Sequence, residues 1–416
     1  MTVTPVVELA MIALLMTASG AAPLVWTYAT GNYSWTAAVS HDGRYVIAGS
    51  DDMHTYFFKT DSGANPVWTH SAQGYVRHVA ISSNGSSAAA SDMAGNVYFF
   101  HPEASGSPAW SFHAGSAMSG TDISEDGRRL VVGDQEGDIY LFDTDGSGSP
   151  IWHNLVMGGV LALSLFKSGS VAVASAKGGI YFYDLTSSRP GYAWSFQESM
   201  SFPQLAVSDS AGYVVAGASN GNIYIATIAG QVIDMQKLGG SISAISIADH
   251  ARCVIVGSTN GIVSRYLLKD RLEELDSSAA HGPITSVAIS DDGSRVSVAS
   301  LDGTIATFSE TLADLLWTFN TGAIVHSLSM SGDGQAIVAS SDTGSIYLFD
   351  EALMSTNRTI PSGSSMPIEA IIVIVIFTVV GHFIWRRRSR RMDEDGLVPS
   401  RLKRVAVTFR QMWLCG

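Results

Sequence analysis

The sequence is poor in cysteine and in charge. Only Cys253 and Cys415 occur in 416 residues, which excludes a disulfide framework and a four-cysteine zinc site. Charged residues make up 15% of the chain and apolar residues 46%. Disordered chains show the opposite balance, so the chain is expected to fold. The net charge of −13 offers no excess of cations for a phosphate backbone, so no nucleic-acid partner is expected.

Catalytic signatures are also missing. No Gly-x-Ser-x-Gly sequence stands between a predicted strand and a helix, and no His-Glu-x-x-His occurs. Asp residues such as Asp42 and Asp126 precede glycines in predicted turns, where their side chains bond local amides rather than calcium. The prediction is therefore a protein that is not an enzyme and has no catalytic residue, metal or cofactor.

What the chain does contain is a repeat of about 42 residues. Tryptophans recur at this interval, and two series of glycines follow the same spacing over more than 300 residues. The tryptophans are Trp26, Trp68, Trp110, Trp152 and Trp194, followed later by Trp317. The glycine series are Gly43, Gly85, Gly127, Gly169, Gly212, Gly293 and Gly334, and Gly95, Gly137, Gly178, Gly221, Gly261, Gly303 and Gly344.

Each repeat reads as four short strands. In residues 282–308, three runs rich in β-branched residues are separated by Asp-Gly turns, and the tryptophan run supplies a fourth strand. Four antiparallel strands per 42 residues are typical of a propeller blade. The fold class is therefore all-β, an eight-bladed β-propeller. Residues near its axis should be small, and seven of the eight are Ala or Ser: Ala38, Ala80, Asp122, Ser164, Ala206, Ser246, Ala288 and Ser329.

The N-terminal strand is expected to close the ring. The Trp26 strand precedes the first repeat, whereas the last repeat ends at Asp350 with no tryptophan strand after it. Placing the Trp26 strand in the last blade would remove both free sheet edges.

The repeats resemble two propeller families. The pattern VAIS-DDG-SRVSVAS-LDG-TIATF within residues 282–308 resembles a WD40 repeat, and residues 142–152, FDTDGSGSPIW, resemble the tryptophan-docking segment of quinoprotein (PQQ)-like propellers. Quinoprotein dehydrogenases would imply calcium-binding carboxylates and often a vicinal cysteine pair, and this chain has no adjacent cysteines. Because both families have many roles, the resemblance indicates fold more than function.

The two ends of the chain predict a membrane location. Residues 367–385 are apolar and long enough to span a bilayer, and five arginines follow within 386–391. The positive-inside rule then places the tail 386–416 in the cytoplasm and the propeller outside. Residues 1–20 read as a signal peptide or N-terminal hydrophobic segment, although Glu8 interrupts it and no basic residue precedes it. This divides the chain into that segment, a propeller at 21–351, a Ser/Pro/Gly stem at 352–366, the transmembrane helix and the tail.

Charge supports this single-pass topology at the cell membrane. The tail from Arg386 holds nine of the 24 basic residues and three of the 37 acidic ones. An exported propeller would expose three Asn-x-Ser/Thr sequons, at Asn32, Asn84 and Asn357, as glycosylation candidates. Asn84 also heads an Asn-Gly turn, so its role is either glycosylation or turn geometry.

The candidate ligand contacts are Asp122, Arg77 and His78. Asp122 is the one carboxylate at the axial position, and an unpaired buried carboxylate is costly. It should therefore face the channel or pair with Arg77 or His78, which belong to the neighbouring inner strand. Trp35, outside the tryptophan register, is a candidate surface contact. The expected function is a non-catalytic scaffold that binds protein partners, and the alternative is a channel-mouth small-ligand receptor or quinone-dependent enzyme.

Overall fold

Short apolar runs rich in β-branched and aromatic residues, separated by glycine turns, form antiparallel strands in every repeat. The computed structural model describes residues 20–353 with short gaps at 104–105, 177, 186–191, 198–200, 209, 211, 270 and 281. Within these residues no helix has the length and apolarity needed to cross a bilayer. The predicted stem beyond residue 353, the span 367–385, the tail and residues 1–19 lie outside the described residues.

The first four blades are consecutive four-stranded antiparallel sheets, each running from an inner to an outer strand. Blade 1 also has a 3₁₀ turn, Thr60–Ser62, before its outer strand. The strands are β3 (Ser34–Val39), β4 (Tyr45–Ser50), β5 (His54–Lys59) and β6 (Trp68–Ser71) in blade 1; β7 (Val76–Ile81), β8 (Ala88–Asp92), β9 (Asn96–Phe100) and β10 (Trp110–His113) in blade 2; β11 (Met118–Ile123), β12 (Arg129–Asp134), β13 (Asp138–Asp143) and β14 (Trp152–Leu155) in blade 3; and β15 (Val160–Leu165), β16 (Val171–Ala176), β17 (Gly179–Asp184) and β18 (Tyr192–Gln197) in blade 4.

The remaining blades complete the predicted eight. They comprise β19 (Gln204–Ser208), β20 (Tyr213–Gly217), β21 (Asn222–Thr227) and β22 (Val232–Lys237) in blade 5; β23 (Ile242–Ala248), β24 (Cys253–Ser258), β25 (Ile262–Leu268) and β26 (Leu272–Ala279) in blade 6; β27 (Ile284–Ile289), β28 (Val296–Ser300), β29 (Thr304–Phe308) and β30 (Leu315–Asn320) in blade 7; and β31 (Val325–Met330), β32 (Ala336–Ser341) and β33 (Ser345–Asp350) in blade 8.

The N-terminal strand closes the ring as predicted. Strand β2 (Leu24–Ala29) pairs antiparallel with β33, so blade 8 is built from both ends of the described chain. A two-residue strand, β1 (Gly20–Ala21), additionally pairs parallel with β30 at the outer edge of blade 7. Because sheet edges template association with other chains, this arrangement protects the edges of the last two blades.

The repeat tryptophans join neighbouring blades wherever they occur. The Trp68 ring lies between Phe57 of its own blade and Phe100 of the following blade, at centroid distances of 5.1 and 5.0 Å. Trp110 lies in the same way between Phe99 and Phe142. These contacts confirm the expected inter-blade packing of aromatic rings.

Each docked ring also has a hydrogen bond in the next blade. The indole N–H groups of Trp26, Trp68, Trp110 and Trp194 donate to the backbone carbonyl 34 residues later. A Cβ on Gly106 would lie 2.8 Å from the Cβ of Trp68, and one on Gly148 would lie 3.0 Å from the Cβ of Trp110. These two glycines are therefore needed for close approach of the backbone to the ring.

The glycine turns adopt the predicted left-handed conformation. Gly95 has φ +85° and Gly43 has φ +72°, and the equivalent glycines of the other repeats also have positive φ values. In blade 1 the second series contains Met53 instead, at φ +66°. A non-glycine residue in this region costs roughly 1–2 kcal/mol, so Met53 stands where the other repeats have an unstrained residue.

Replacing Trp110 with phenylalanine should weaken the lock between blades 2 and 3. The change removes the hydrogen bond to the Thr144 carbonyl, 3.1 Å long, together with part of a buried ring. We expect the free energy of unfolding to fall by about 1–3 kcal/mol in denaturant titrations. Ser111→Ala, on the exposed face of the same strand, should change it by less than about 0.5 kcal/mol. Equal stability of Trp110→Phe and the control would contradict the proposed lock.

Candidate functional site

The ring has two chemically different ends. At the entrance end the inner strands begin and the turns between second and third strands lie. At the exit end the inner strands finish, and the two ends of the described chain meet there, with Asp350 N donating to the Pro23 carbonyl at 2.9 Å. Every candidate site residue can be assigned to one of these ends or to the channel between them.

A β-bulge shapes the entrance end. The pairing register shifts after the first residue in seven inner strands, all except β19. A bulge leaves the extra residue outside the ladder and re-aims its side chain. The bulged residues of blades 8, 1 and 2 are His326, Trp35 and Arg77. The same bulge, repeated in three neighbouring blades, thus brings these three side chains to the channel entrance.

These side chains form a stacked cluster. The Arg77 guanidinium donates to both carboxylate oxygens of Asp51, at 3.1 and 3.0 Å, and lies 4.5 Å from the Trp35 ring centroid. Trp35 donates to the same carboxylate at 2.8 Å and stacks on His326 with 4.0 Å between ring centroids. Burial lowers the pKa of His326, and its shielded Nε2 has no hydrogen-bond partner in the described part of the chain. Arginine fixed over tryptophan is a rigid, partly exposed recognition element.

Exposed side chains flank this cluster. Tyr33, Met53 and Tyr75 are 50%, 42% and 42% exposed. Tyr33 and Tyr75 precede the bulged residues Trp35 and Arg77 by two positions, and Met53 lies in the turn that begins at Asp51. We call Tyr33, Trp35, Met53, Tyr75 and Arg77 the entrance patch.

The expected pairing of Arg77 or His78 with Asp122 is not what the structure has. Arg77 pairs with Asp51, and His78 is buried, which lowers its pKa to about 4, with the charge of Arg77 adding to the effect. Arg77 is the second residue of its inner strand and Asp122 the fifth. Three residues along a strand correspond to about 10 Å, so the two charges lie at different depths of the channel.

Asp122 bonds to backbone instead of a cation. Its carboxylate accepts from Ile123 N at 2.8 Å and from Leu165 N, in the next blade, at 2.7 Å. Ser329 makes the same inter-blade contact, accepting from Val39 N at 3.2 Å. The Asp122 carboxylate therefore makes the same inter-blade hydrogen bond near the axis that the Ser329 hydroxyl makes in blade 8. Burial raises its pKa to about 6 despite these two amides.

Charged groups converge on Asp291 at the exit end. His41 Nε2 lies 2.5 Å, Lys167 Nζ 3.5 Å and His250 Nδ1 3.6 Å from Asp291 Oδ2. Burial raises the pKa of Asp291, but the hydrogen bond with His41 and the charge of Lys167 outweigh it, so that its pKa lies below the usual value. A Cβ on Gly332 would lie 2.2 Å from His41 Nε2. His41 thus passes over blade 8 to reach blade 7, which requires glycine at 332.

A cleft of about 470 Å³ opens beside these charges. Its lining consists of Glu125, Asp126, Lys167, Ser168, Asp249 and His250. A second space of about 220 Å³ reaches Asp122 from the same end. Across residues 20–353, gaps excepted, no group of three or more His, Cys, Asp or Glu side chains is arranged to hold a metal ion.

The sequon residues within the described part are exposed. Asn32 and Asn84 lie on turns at the surface, whereas Asn357 falls outside the described residues. The Asn84 side chain accepts from Ser86 N at 3.0 Å, so it supports its turn as the sequence suggested. Glycosylation at either position remains a prediction.

The protonation of Asp122 should make stability depend on pH. A carboxyl group whose pKa is raised on folding, here to about 6, binds its proton more tightly in the folded state. The free energy of unfolding should therefore fall as the pH rises from about 4 to 6, by an amount on the order of 2 kcal/mol. Asp122→Ser keeps a hydroxyl acceptor like that of Ser329 and should lose this part of the pH dependence in denaturant titrations. Identical pH profiles for wild type and variant would refute the assignment.

Comparisons with known proteins agree with the repeat architecture. Residues 93–265 match a family model described as outer membrane protein assembly factor BamB. Residues 273–308 and 314–350 match the WD domain, G-beta repeat. A comparison with curated proteins gives no match.

Several solved structures share the fold. Sqt1 of Saccharomyces cerevisiae has 13% identity and a TM-score of 0.69, covering 80% of this chain and 99% of its own. Chaetomium thermophilum Sqt1 bound to the N-terminus of ribosomal protein L10 has 14% identity and a TM-score of 0.68, covering 79% and 100%. The computationally designed Ika8 protein has 19% identity and a TM-score of 0.68, covering 79% and 99%. The family matches and the eight blades together identify the chain as a β-propeller repeat protein, similar to both the BamB-type and the WD-repeat propellers.

Proposed function

We propose that this protein is a non-catalytic scaffold that binds protein partners at the entrance end of its propeller, held outside the cytoplasm by a membrane anchor. The entrance patch is the observation that carries the binding proposal. It joins two exposed tyrosines and a methionine to an arginine fixed on a tryptophan.

The composition of the patch supports a protein partner. Aromatic residues, methionine and arginine are enriched at the centres of protein interfaces, and tryptophan, tyrosine and arginine dominate their binding energy. The Asp51 carboxylate holds Arg77 and Trp35 in place before any partner arrives, which lowers the entropy lost on binding. Sqt1, a propeller with the same fold, has been solved with the N-terminus of ribosomal protein L10 bound, an example of a protein ligand on this architecture.

The exit end suits a partner less well. Its turns are bonded to each other around much of the ring: Ser83 N donates to the Glu125 carbonyl and Glu125 N to the Lys167 carbonyl. The central charges are already neutralised in the Asp291 cluster. Both ends of the described chain also leave there, so the entrance end is the less obstructed surface.

The membrane part of the proposal rests on the sequence. Residues 367–385 would cross the bilayer, the arginines of 386–391 would stay inside, and the segment 1–20 would direct export. This places the propeller at the outer face of the cell membrane, where Asn32 and Asn84 would be open to glycosylation in a host that performs it.

The small-ligand alternative would use the channel mouth. The space that reaches Asp122 from the exit end is its natural location. However, both Asp122 oxygens already accept backbone amides, so the carboxylate is occupied in holding two blades together. Asp122 is accordingly bonded to backbone amides, Arg77 is paired with Asp51, and His78 is shielded from water. Of the three, only Arg77 belongs to the proposed binding surface.

Removing exposed side chains of the entrance patch should abolish partner capture. Tyr33→Ser with Tyr75→Ser leaves the Arg77–Asp51 pair intact and removes two exposed rings. We expect proteins cross-linked to the wild-type chain in intact cells to be lost from this variant and retained by Val67→Ser, a control at a site 50% exposed directly before the outer strand β6. Unchanged cross-linking of the same proteins in the double variant would contradict binding at the entrance patch.

The proposed topology predicts that protease added outside the cell reaches the propeller but not the C-terminal end of the chain. Protease added to intact cells should digest the propeller and leave an epitope fused after residue 416 uncut. Permeabilised cells should lose both. Cleavage of the epitope in intact cells, or survival of the propeller beside a digested surface control, would overturn the proposed orientation.

A further inference from the structure

We propose that the entrance end carries a second contact element, the turn at residues 155–161, which binds an apolar segment of a protein partner flanked by lysine or arginine. This inference rests on the proposed function and adds the chemistry of the partner. We call residues 155–161 the Met157 turn. It connects the outer strand of blade 3 to the inner strand of blade 4.

The Met157 turn is apolar where the other repeats are not. Leu155, Met157 and Leu161 are 63%, 83% and 41% exposed. At the Met157 position the other seven repeats have Gly31, Gln73, Gly115, Ser199, Gly239, His281 and Gly322. At the Leu155 position they have Ala29, Ser71, His113, Gln197, Lys237, Ala279 and Asn320. Three large apolar side chains in water are therefore a property of this turn and not of the repeat.

The turn is rigid. Val156 and Val160 are each 3% exposed and anchor it to the core, and Val156 N donates to the Gly137 carbonyl at 2.9 Å. A Cβ on Gly137 would lie 2.1 Å from the Val156 carbonyl oxygen, and one on Gly159 would lie 2.4 Å from the Gln135 carbonyl oxygen. Backbone packed this closely fixes the position of the Met157 backbone, from which the side chain is 83% exposed. An apolar side chain held outward on a fixed turn is suited to insertion into a partner.

An acidic side chain, Glu136, flanks the turn. Glu136 is exposed in the turn 135–137, which packs directly against the Met157 turn through Gly137 and Gly159. Arg77, the cation of the entrance patch, is neutralised by Asp51. The charge on the segment that packs against the apolar turn is thus the Glu136 carboxylate.

Charge complementarity selects the occupant. A segment that offers leucine-like side chains to Met157 and Leu161 gains affinity when lysine or arginine lies beside Glu136. Anionic lipid headgroups would be repelled by the Glu136 carboxylate, which argues against membrane insertion of this turn. A basic, apolar protein segment meets both requirements.

Synthetic peptides test the chemistry directly. The full-length protein in detergent is titrated with a fluorescent 14-residue peptide of leucine and lysine, with a matched peptide carrying glutamate for lysine, and with one carrying serine for leucine. We expect only the leucine–lysine peptide to bind. Its Kd should rise at least tenfold in Met157→Ser with Leu161→Ser, and stay unchanged in Leu275→Ser, a control leucine 48% exposed on β26. Glu136→Lys should remove the preference for lysine over glutamate.

Two results would overturn the inference. Equal binding by the double serine variant and Leu275→Ser would exclude the turn, and equal binding of the lysine and glutamate peptides to the wild type would exclude the charge requirement. In intact cells, a photo-cross-linking residue at position 157 that labels lipid instead of protein would assign the turn to the membrane and refute the proposal.

Cross-linking in intact cells distinguishes failure of this inference from failure of the proposed function. If partners are lost in Tyr33→Ser with Tyr75→Ser but kept in Met157→Ser with Leu161→Ser, this inference fails while the proposed function stands. If neither variant loses them, the proposed function fails.

Discussion

The propeller depends on the docking of repeat tryptophans, present in six of its eight outer strands, into the next blade. Trp110 is an example. The ring lies between two phenylalanines and its N–H reaches a carbonyl 34 residues ahead, so a single side chain joins two sheets through dispersion and a hydrogen bond. Because the first such tryptophan, Trp26, belongs to the strand that completes blade 8, the same contact that links neighbours also closes the ring. The entrance patch and the Met157 turn can hold their geometry only on a closed ring.

The architecture was accessible from the sequence because it is periodic. Eight repeats place the same residue types at the same positions, and the four strands, the eight blades, the left-handed glycines and the closing strand follow from those registers. The tryptophan-docking glycines, Gly106 and Gly148, were within the same pattern. Met53 is an exception to the glycine pattern, since the backbone adopts the same left-handed turn, at φ +66°, although glycine is absent.

The partners of individual side chains were not accessible, because they depend on depth along the strand and on a bulge. Arg77 and Asp122 lie on neighbouring inner strands but three positions apart, and the bulge turns Arg77 toward Asp51. Asp122 accepts the inter-blade hydrogen bond that Ser329 accepts between blades 8 and 1. The repeat could have suggested this contact, because serine and aspartate at the axial position both offer an acceptor oxygen. Trp35 stood out by its register, but its stacking on His326 requires blades 1 and 8 to be neighbours, a consequence of closure.

The entrance end can vary because the blade lock does not involve it. The docked tryptophans and their carbonyl partners, such as Trp110 and Thr144, lie toward the exit end, where third strands end and outer strands begin. At the exit end, backbone hydrogen bonds between successive turns and the reach of His41 over Gly332 to Asp291 keep polar groups partnered within the protein. At the entrance end, the bulged residue of seven inner strands is released from the ladder, so its identity can vary without loss of pairing: tryptophan, arginine, leucine and histidine all occupy this position. Side chains that are free of the ladder and held on rigid backbone are the ones available to a partner. For that reason the entrance end is the binding surface that we propose, and the apolar Met157 turn beside Glu136 narrows the chemistry of the segment that can bind.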